Sequence, residues 1–234
     1  MEHKRLTLFA GHYGSGKTNI AVNYAIMLAK EGKKVCIGDL DIVNPYFRTA
    51  DSAKELEKAG VTLISPQFAN SNVDLPALPA EAYRLVEDKT VYGIMDIGGD
   101  DRGAYALGRY VPAIKAENNY RMVFVANCYR PLTRTPEDAL EVMREIEAAC
   151  GLAFTDIVGN SNLGPDTTAQ TVLDSEDFTE KLSKLSGLPI FAYTAESQVA
   201  EALHGKLDPV IPLRLQEKYF DLPSQKPGNR PLWG

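Results

Sequence analysis

Cysteine and long hydrophobic runs are both scarce in this sequence. The three cysteines, Cys36, Cys128 and Cys150, are odd in number and widely spaced, and no CxxC or CxC pair is present. This argues against a disulfide framework or a thiolate metal site within the chain. No apolar run approaches the ~18 residues that a membrane span needs, and the run at 6–10 is too short for a signal peptide. We expect a cytoplasmic protein with reduced thiols and no membrane anchor.

Positive charge is in short supply as well. The 234 residues contain 25 Lys and Arg against 31 Asp and Glu, which gives a net charge of -6. Because an acidic surface repels nucleic-acid phosphates, no nucleic-acid partner is expected. The length and the ordinary apolar content predict one folded domain over 1–223. A surface tail is predicted at 224–234, where Pro227, Gly228 and Pro231 break regular structure.

Short apolar runs alternate with segments of helical periodicity along the chain. Strands are predicted at 6–10, 34–38, 61–64, 91–95, 122–126, 154–158 and 189–193. Helices are predicted at 17–31, 52–59, 80–87, 104–116, 136–149, 177–185 and 196–203. Pro112 is expected to kink or divide its helix, and 65–78 to form a loop. The alternation predicts an α/β fold: a mostly parallel, doubly wound sheet with helices on both faces and ligands beyond the carboxyl ends of the strands.

The segment GHYGSGKT at 11–18 follows the first predicted strand and precedes the first helix. It matches GxxxxGK[ST], in which glycines let backbone amides face a polyphosphate without Cβ clashes. The helix contributes its positive dipole end, Lys17 is expected to reach the β- and γ-phosphates, and Thr18 is placed to bind Mg²⁺. We therefore assign nucleotide binding to the consecutive residues Gly11, His12, Tyr13, Gly14, Ser15, Gly16, Lys17, Thr18 and Asn19.

Three aspartates follow predicted strands at the edge that this loop marks. Asp39 and Asp41 form an Asp-x-Asp pair after the second strand, and Asp96 begins an Asp-x-x-Gly motif after an apolar run. An aspartate that follows a strand is commonly a turn or cap residue. Their shared edge favours a role in binding Mg²⁺ and positioning water.

Together these motifs resemble the MinD/ParA/CobQ group of P-loop ATPases, in the SIMIBI class. That group also holds the nitrogenase iron protein, the arsenite-pump ATPase and dethiobiotin synthetase. The resemblance covers residues 6 to about 203 and implies a P-loop NTPase fold with ATP and Mg²⁺ as cofactors. It implies that Asp39 holds a Mg²⁺-bound water, that Asp41 positions the attacking water, and that Asp96 is an outer carboxylate of the Mg²⁺ site.

The same resemblance implies that Gly99 donates its amide to the γ-phosphate and that the following loop, 100–104, is a switch. One position departs from the family's pattern. Many members carry a lysine at the second loop position, which crosses a dimer interface to the partner's nucleotide, and this chain has His12 there. The ATP-sandwich dimer is therefore not implied, and a homodimer stays open.

Base recognition is less sharply marked. In similar ATPases an Asn after the strand at 154–158 reads adenine. Asn160 fits best and Asn162 second, and an Asn-rich turn explains both nearly as well. The sequence has no NKxD motif for guanine, which favours ATP over GTP. Arg130 and Arg134, in the loop after the preceding strand, could clamp a phosphate or an acidic partner, and a solvated loop explains them equally well.

Two functions fit these residues. The first is a nucleotide-dependent switch or accessory ATPase for a protein client, with Lys17, Asp39 and Asp41 as its catalytic residues. The intact Asp-x-Asp pair favours it. The alternative is an ATP-dependent small-molecule enzyme that activates a carboxylate, resembling dethiobiotin synthetase or the cobyrinate amidation enzymes, and His12 slightly favours that. A binding module without turnover is disfavoured because all three carboxylates are present.

Overall fold

The computed structural model describes residues 2–40, 49–64, 80–99 and 101–215. Within them one sheet has eight strands in the order β3-β2-β4-β1-β5-β6-β7-β8, and adjacent strands run parallel. The strands are β1 (Leu6–Ala10), β2 (Val35–Leu40), β3 (Thr62–Ile64), β4 (Tyr92–Ile97), β5 (Tyr120–Ala126), β6 (Asp156–Gly159), β7 (Ile190–Glu196) and β8 (Val210–Leu213). The predicted α/β parallel fold is confirmed.

Helices connect successive strands. They are α1 (Lys17–Lys30), α2 (Ala53–Lys58), α3 (Arg84–Glu87), α4 (Asp101–Gly108), α5 (Val111–Glu117), α6 (Pro136–Cys150), α7 (Ala169–Leu173), α8 (Glu176–Ser186) and α9 (Ser197–Leu203). The start of α6 shows why these boundaries fall where they do. Thr135 and Asp138 form a reciprocal capping box that satisfies the amides of both residues, and Pro136, which has no amide hydrogen, occupies the first helical position.

Side chains of β1 alternate between two cores. Leu6 and Leu8 pack on the face covered by α4, α5, α6 and α8, whereas Phe9 packs on the face covered by α1 and α2. All three are fully buried, and burying one such side chain stabilises the fold by about 1.5–3 kcal/mol. Because both faces of the sheet are covered, ligand access is left to the sheet edges.

The position of β1 determines which loops meet. It lies between β4 and β5, and in a parallel sheet all strands end at the same edge. The loop after β1 is therefore flanked by the loops after β4 and β5.

Three elements differ from the sequence prediction. Strand β8 was missed because it is a four-residue edge strand that contains Pro212, which lacks the amide that an inner strand would need. Helix α7 was missed because it is only five residues long. The predicted helix at 104–116 is two helices: Tyr110 precedes α5 and Pro112 lies in its first turn, so the proline divides the segment.

Some predictions concern residues outside the described ranges. These are Asp41, the loop at 65–78, Asp100 and the tail at 224–234. The expected switch loop at 100–104 is wrong in part, because the backbone from Asp101 onward is the first turn of α4. Among the described residues, no helix has both the length and the apolar character that a bilayer crossing demands.

A cluster of charged side chains lies at the amino-terminal ends of the strands, opposite the edge that holds the loop after β1. The buried Arg5 guanidinium donates to both carboxylate oxygens of Glu117 and to the carbonyl oxygens of Leu85 and Val91, at 2.9 and 3.2 Å. Lys89 Nζ adds a contact of 2.6 Å to Glu117. Burial raises the pKa of Glu117, but the hydrogen bonds from Arg5 and Lys89 outweigh it and hold that pKa below its ordinary value.

Replacing Glu117 with glutamine is expected to lower the free energy of unfolding by about 1.5–3 kcal/mol, since a buried guanidinium loses its charged acceptor. The folded-state pKa of Glu117 is lowered, so its contribution is present above the ordinary pKa of 4.5 and disappears as the pH falls through the folded-state value. Urea unfolding at neutral and acidic pH should show the two proteins converging in acid. Glu2→Gln, at an exposed ion pair with Lys4, is the control and should change little. A difference in the free energy of unfolding between Glu117→Gln and the unaltered chain that stays constant at all pH values would contradict this account.

Candidate functional site

The loop between β1 and α1 has the backbone that an anion cradle requires. Gly16, immediately before α1, has φ of 92°, a left-handed conformation that other residues rarely adopt. The first amides of a helix have no partner within the helix and are available to an anion. The Ser15 hydroxyl is buried and finds no hydrogen-bond partner among the described residues. Lys17 and Thr18 are also buried, so the segment presents donors in a desolvated setting.

Gly99 brings the Asp-x-x-Gly motif against this loop. A Cβ atom added to Gly99 would lie 2.8 Å from Tyr13 N, 2.9 Å from Gly11 O and 3.0 Å from Lys17 Nζ. Only a residue without a side chain permits this approach. The segment after β4 is therefore in direct contact with the loop after β1.

Two of the three predicted aspartates occupy adjacent strands. Asp39 in β2 and Asp96 in β4 are register partners, and both are buried. They lie within the ends of their strands rather than after them. The fully buried Thr49 donates a hydrogen bond of 3.0 Å to Asp96 Oδ2. Sequence reasoning missed Thr49, because no local pattern distinguishes it from a helix-capping threonine.

The donor set fits Mg²⁺. The Thr18 hydroxyl could bind Mg²⁺ directly, and the carboxylates of Asp39 and Asp96 could hold its bound water, since oxygen is the ligand atom that Mg²⁺ prefers. Among the described residues, no cluster of three or more His, Cys, Asp or Glu could hold a metal. Mg²⁺ at nucleotide sites uses one or two carboxylates together with phosphate oxygens and water.

The Asn160 side chain links the loop after β1 to strand β7 through hydrogen bonds. Its Nδ2 donates to Ser15 O at 2.7 Å, and its Oδ1 accepts from Thr194 Oγ1 at 2.7 Å. The side chain is thus held from both ends, with one amide hydrogen left for a ligand. Thr194 was not predicted, although a buried polar residue in an apolar strand near its carboxyl end is a signal that could have found it.

A cavity of about 100 Å³ opens beside this connection. Its lining comes from the start of α1, from the loop after β6 and from the end of β7, and includes Asn19, Asn160, Asn162, Thr194 and Glu196. Asn162 is also tied locally, since its Nδ2 donates to Asn160 O at 2.9 Å. Both predicted asparagines therefore reach one cavity.

The remaining predicted residues differ in their contacts. His12 Nδ1 lies 2.9 Å from Tyr13 O, within its own loop. Arg130 Nε donates to Gly14 O at 2.8 Å, whereas Arg134 is exposed. The three cysteines are free thiols, and burial raises the pKa of Cys36 to about 11, which keeps it protonated and unreactive.

A parallel α/β sheet in which a GxxxxGKT loop meets an Asp-x-x-Gly segment defines a P-loop NTPase fold. The chain belongs to a particular family of that class, the CobQ/CobB/MinD/ParA nucleotide binding domain (CbiA), whose sequence profile matches residues 6–162. The predicted family is confirmed. No curated protein matched the chain in a sequence search.

Solved structures with a similar fold include several FtsY proteins. FtsY from Thermotoga maritima is 19% identical with a TM-score of 0.55, and the match covers 79% of this chain and 59% of that one. FtsY from Mycoplasma mycoides is 16% identical with a TM-score of 0.53, covering 81% and 58%. FtsY from Elizabethkingia anophelis in complex with GDP is 16% identical with a TM-score of 0.50, covering 81% and 57%. This chain thus spans less than two thirds of each, and the likeness concerns the fold.

Proposed function

We propose that this protein binds ATP with Mg²⁺, hydrolyses it, and acts as a nucleotide-dependent switch for a protein client. The contact between Gly99 and the loop at 11–18 carries the proposal. Through it, a γ-phosphate in the loop would touch the segment that leads into α4. Loss of that phosphate would then change a surface that a client can read.

In this proposal the chain positions the phosphates and stabilises their charge, which is most of the catalysis in phosphoryl transfer. The loop amides and Lys17 bind the β- and γ-phosphates, and Gly99 N donates to the γ-phosphate. Thr18, Asp39 and Asp96 would hold Mg²⁺, which neutralises charge on the phosphates when bound. The bond from Thr49 to Asp96 orients one of those carboxylates.

The cavity beside Asn160 is the proposed site of the base. Its free amide hydrogen and the Asn162 side chain would recognise an acceptor on the ring edge. We propose adenine, because the chain lacks the NKxD aspartate that reads guanine. The GDP-bound Elizabethkingia FtsY makes GTP the necessary comparison. Competition between ATP and GTP for the Mg²⁺-loaded protein decides this point, and a preference for GTP would overturn the base assignment.

The direct test of the proposed function is phosphate release from Mg²⁺-ATP by the purified protein, alone and with cell extract depleted of nucleotides. A basal rate that disappears on chelation of Mg²⁺ supports the switch. A protein that binds neither ATP nor GTP in calorimetry would overturn it.

Replacing Asp41 with alanine is expected to leave Mg²⁺-ATP affinity within a few-fold and to lower turnover by about 100-fold, since a residue that positions the attacking water contributes to the chemical step. Equilibrium binding and single-turnover hydrolysis measure the two effects. Asp177→Ala, at an exposed position on α8, is the matched control. Turnover equal to that of the control would remove Asp41 from catalysis.

The presence of His12 at the second loop position favours a second candidate function, an ATP-dependent enzyme that activates a small carboxylate. The His12 ring contacts its own loop, and position 12 is where related proteins carry the lysine that crosses a dimer interface. An ATP-dependent enzyme that activates a small carboxylate needs no such crossing. Such an enzyme would release phosphate only when a carboxylate metabolite is added, and would release it without any protein client.

A further inference from the structure

Arg130 lies against the phosphate-binding loop, and Arg134 on the same connection does not. The Arg130 Nε donates to Gly14 O at 2.8 Å. An added Cβ on Gly14 would lie 3.6 Å from that nitrogen and 3.9 Å from Arg130 Cζ, so the guanidinium rests on the loop itself. Arg134 is exposed and makes no hydrogen bond or ion pair with the described residues.

The connection after β5 holds Arg130 in this place. Arg130 N donates to Asn127 O at 3.3 Å, and Thr133 N donates to Arg130 O at 3.1 Å. Thr133 Oγ1 also donates to Asn127 O at 2.7 Å, and both Thr133 and Asn127 are buried. Because β5 is hydrogen-bonded to β1, this turn is fixed beside the loop, and the guanidinium is positioned before any ligand arrives.

The positive charge of Arg130 matters because the loop itself contains little positive charge. Lys17 is the only lysine or arginine in the segment 11–18, whereas a triphosphate carries several negative charges. Nε is occupied by Gly14 O, and neither Nη1 nor Nη2 of Arg130 has an acceptor among the described residues. Guanidinium groups bind phosphate oxygens with paired donors.

We propose that Arg130 is the second cation of the phosphate site and binds the terminal phosphate of the nucleotide through Nη1 and Nη2. This inference rests on the proposed function. The proposal assigns different roles to the two arginines: Arg130 contacts the nucleotide and Arg134 does not. The charge acts from the half-buried rim of the loop, so it is screened by salt more than Lys17 is.

The test compares Arg130→Gln, Arg130→Lys and Arg134→Gln with the unaltered chain. Affinities for Mg²⁺-ATP and Mg²⁺-ADP are measured by calorimetry at about 50 and about 300 mM salt, between which the Debye length falls about 2.4-fold. Arg130→Gln should weaken ATP by about tenfold and ADP by about threefold at low salt, and the ATP loss should shrink at high salt. Arg130→Lys should recover only part of the ATP affinity, because it keeps the charge and loses the paired donors. Arg134→Gln should match the unaltered chain.

Two results would overturn the inference while leaving the proposed function intact. One is equal affinity in Arg130→Gln and Arg134→Gln. The other is a loss that is the same for ATP and ADP and independent of salt, which would mean that the substitution only distorts the loop at Gly14. Failure of the unaltered chain to bind either nucleotide would overturn the inference and the proposed function together.

Discussion

Replacing Lys17 with alanine is expected to lower the affinity for Mg²⁺-ATP by about three orders of magnitude. The Lys17 side chain is buried at the start of α1, and its Nζ lies 3.5 Å from His12 O, inside the loop. A unit charge pair 4 Å apart contributes ~4 kcal/mol at an effective dielectric of 20, and each 1.4 kcal/mol is a factor of ten in the dissociation constant. Calorimetric titration with Mg²⁺-ATP measures the loss.

Lys30→Ala is the matched control for this variant. Lys30 is the last residue of the same helix and is exposed, so its removal changes net charge equally without touching the loop. Both variants should unfold cooperatively, because α1 is anchored by apolar residues such as Tyr24 and Leu28. Unchanged ATP affinity in a folded Lys17→Ala protein would show that the loop at 11–18 is not the phosphate site.

Local features of this protein were predictable from its sequence. The loop at 11–18 is read from adjacent residues, because its glycines and Lys17 lie in one short stretch of the sequence. Asp39 and Asp96 were recognisable because each closes an apolar run, and parallel pairing then makes them neighbours. The fold class followed in the same way from the alternation of strands and helices.

Contacts between distant segments were not predictable in this way. The bond from Arg130 to Gly14 joins positions 116 residues apart in sequence, and the bond from Asn160 to Ser15 joins positions 145 apart. Whether a polar loop residue faces the site or the solvent depends on how its strand packs beside β1. Arg130 and Arg134 illustrate this, since the sequence treats them alike and the fold does not.

Short elements were missed for a related reason. Strand β8 pairs with β7 through the backbone, with no characteristic side-chain pattern, and its four residues include a proline, which cannot donate a backbone hydrogen bond. Its burial against α1 decides that it is a strand, and this packing has no local sequence pattern.

The second large effect is expected from Gly99→Ala, which should lower ATP hydrolysis by about 100-fold and ATP affinity by about tenfold. The new Cβ would lie 2.8 Å from Tyr13 N and 2.9 Å from Gly11 O, and both are backbone atoms that cannot rotate away. The loop must therefore shift by several tenths of an ångström, and misplacement on the scale of 1 Å can cost 10²-fold in rate. Single-turnover hydrolysis and equilibrium binding separate the two losses.

Gly108→Ala distinguishes this local clash from a general cost of adding a methyl group. Gly108 ends α4, about two helical turns beyond Gly99. Among the described residues, an added Cβ there would approach only Cys150 O within 4 Å, at an ordinary 3.8 Å. Alanine is the better helix former, so this control should be neutral or slightly stabilising. A Gly99→Ala protein as active as Gly108→Ala would mean that the Asp-x-x-Gly segment does not press on the phosphate loop during turnover. The coupling from γ-phosphate to α4, on which the proposed switch depends, would then have no physical basis.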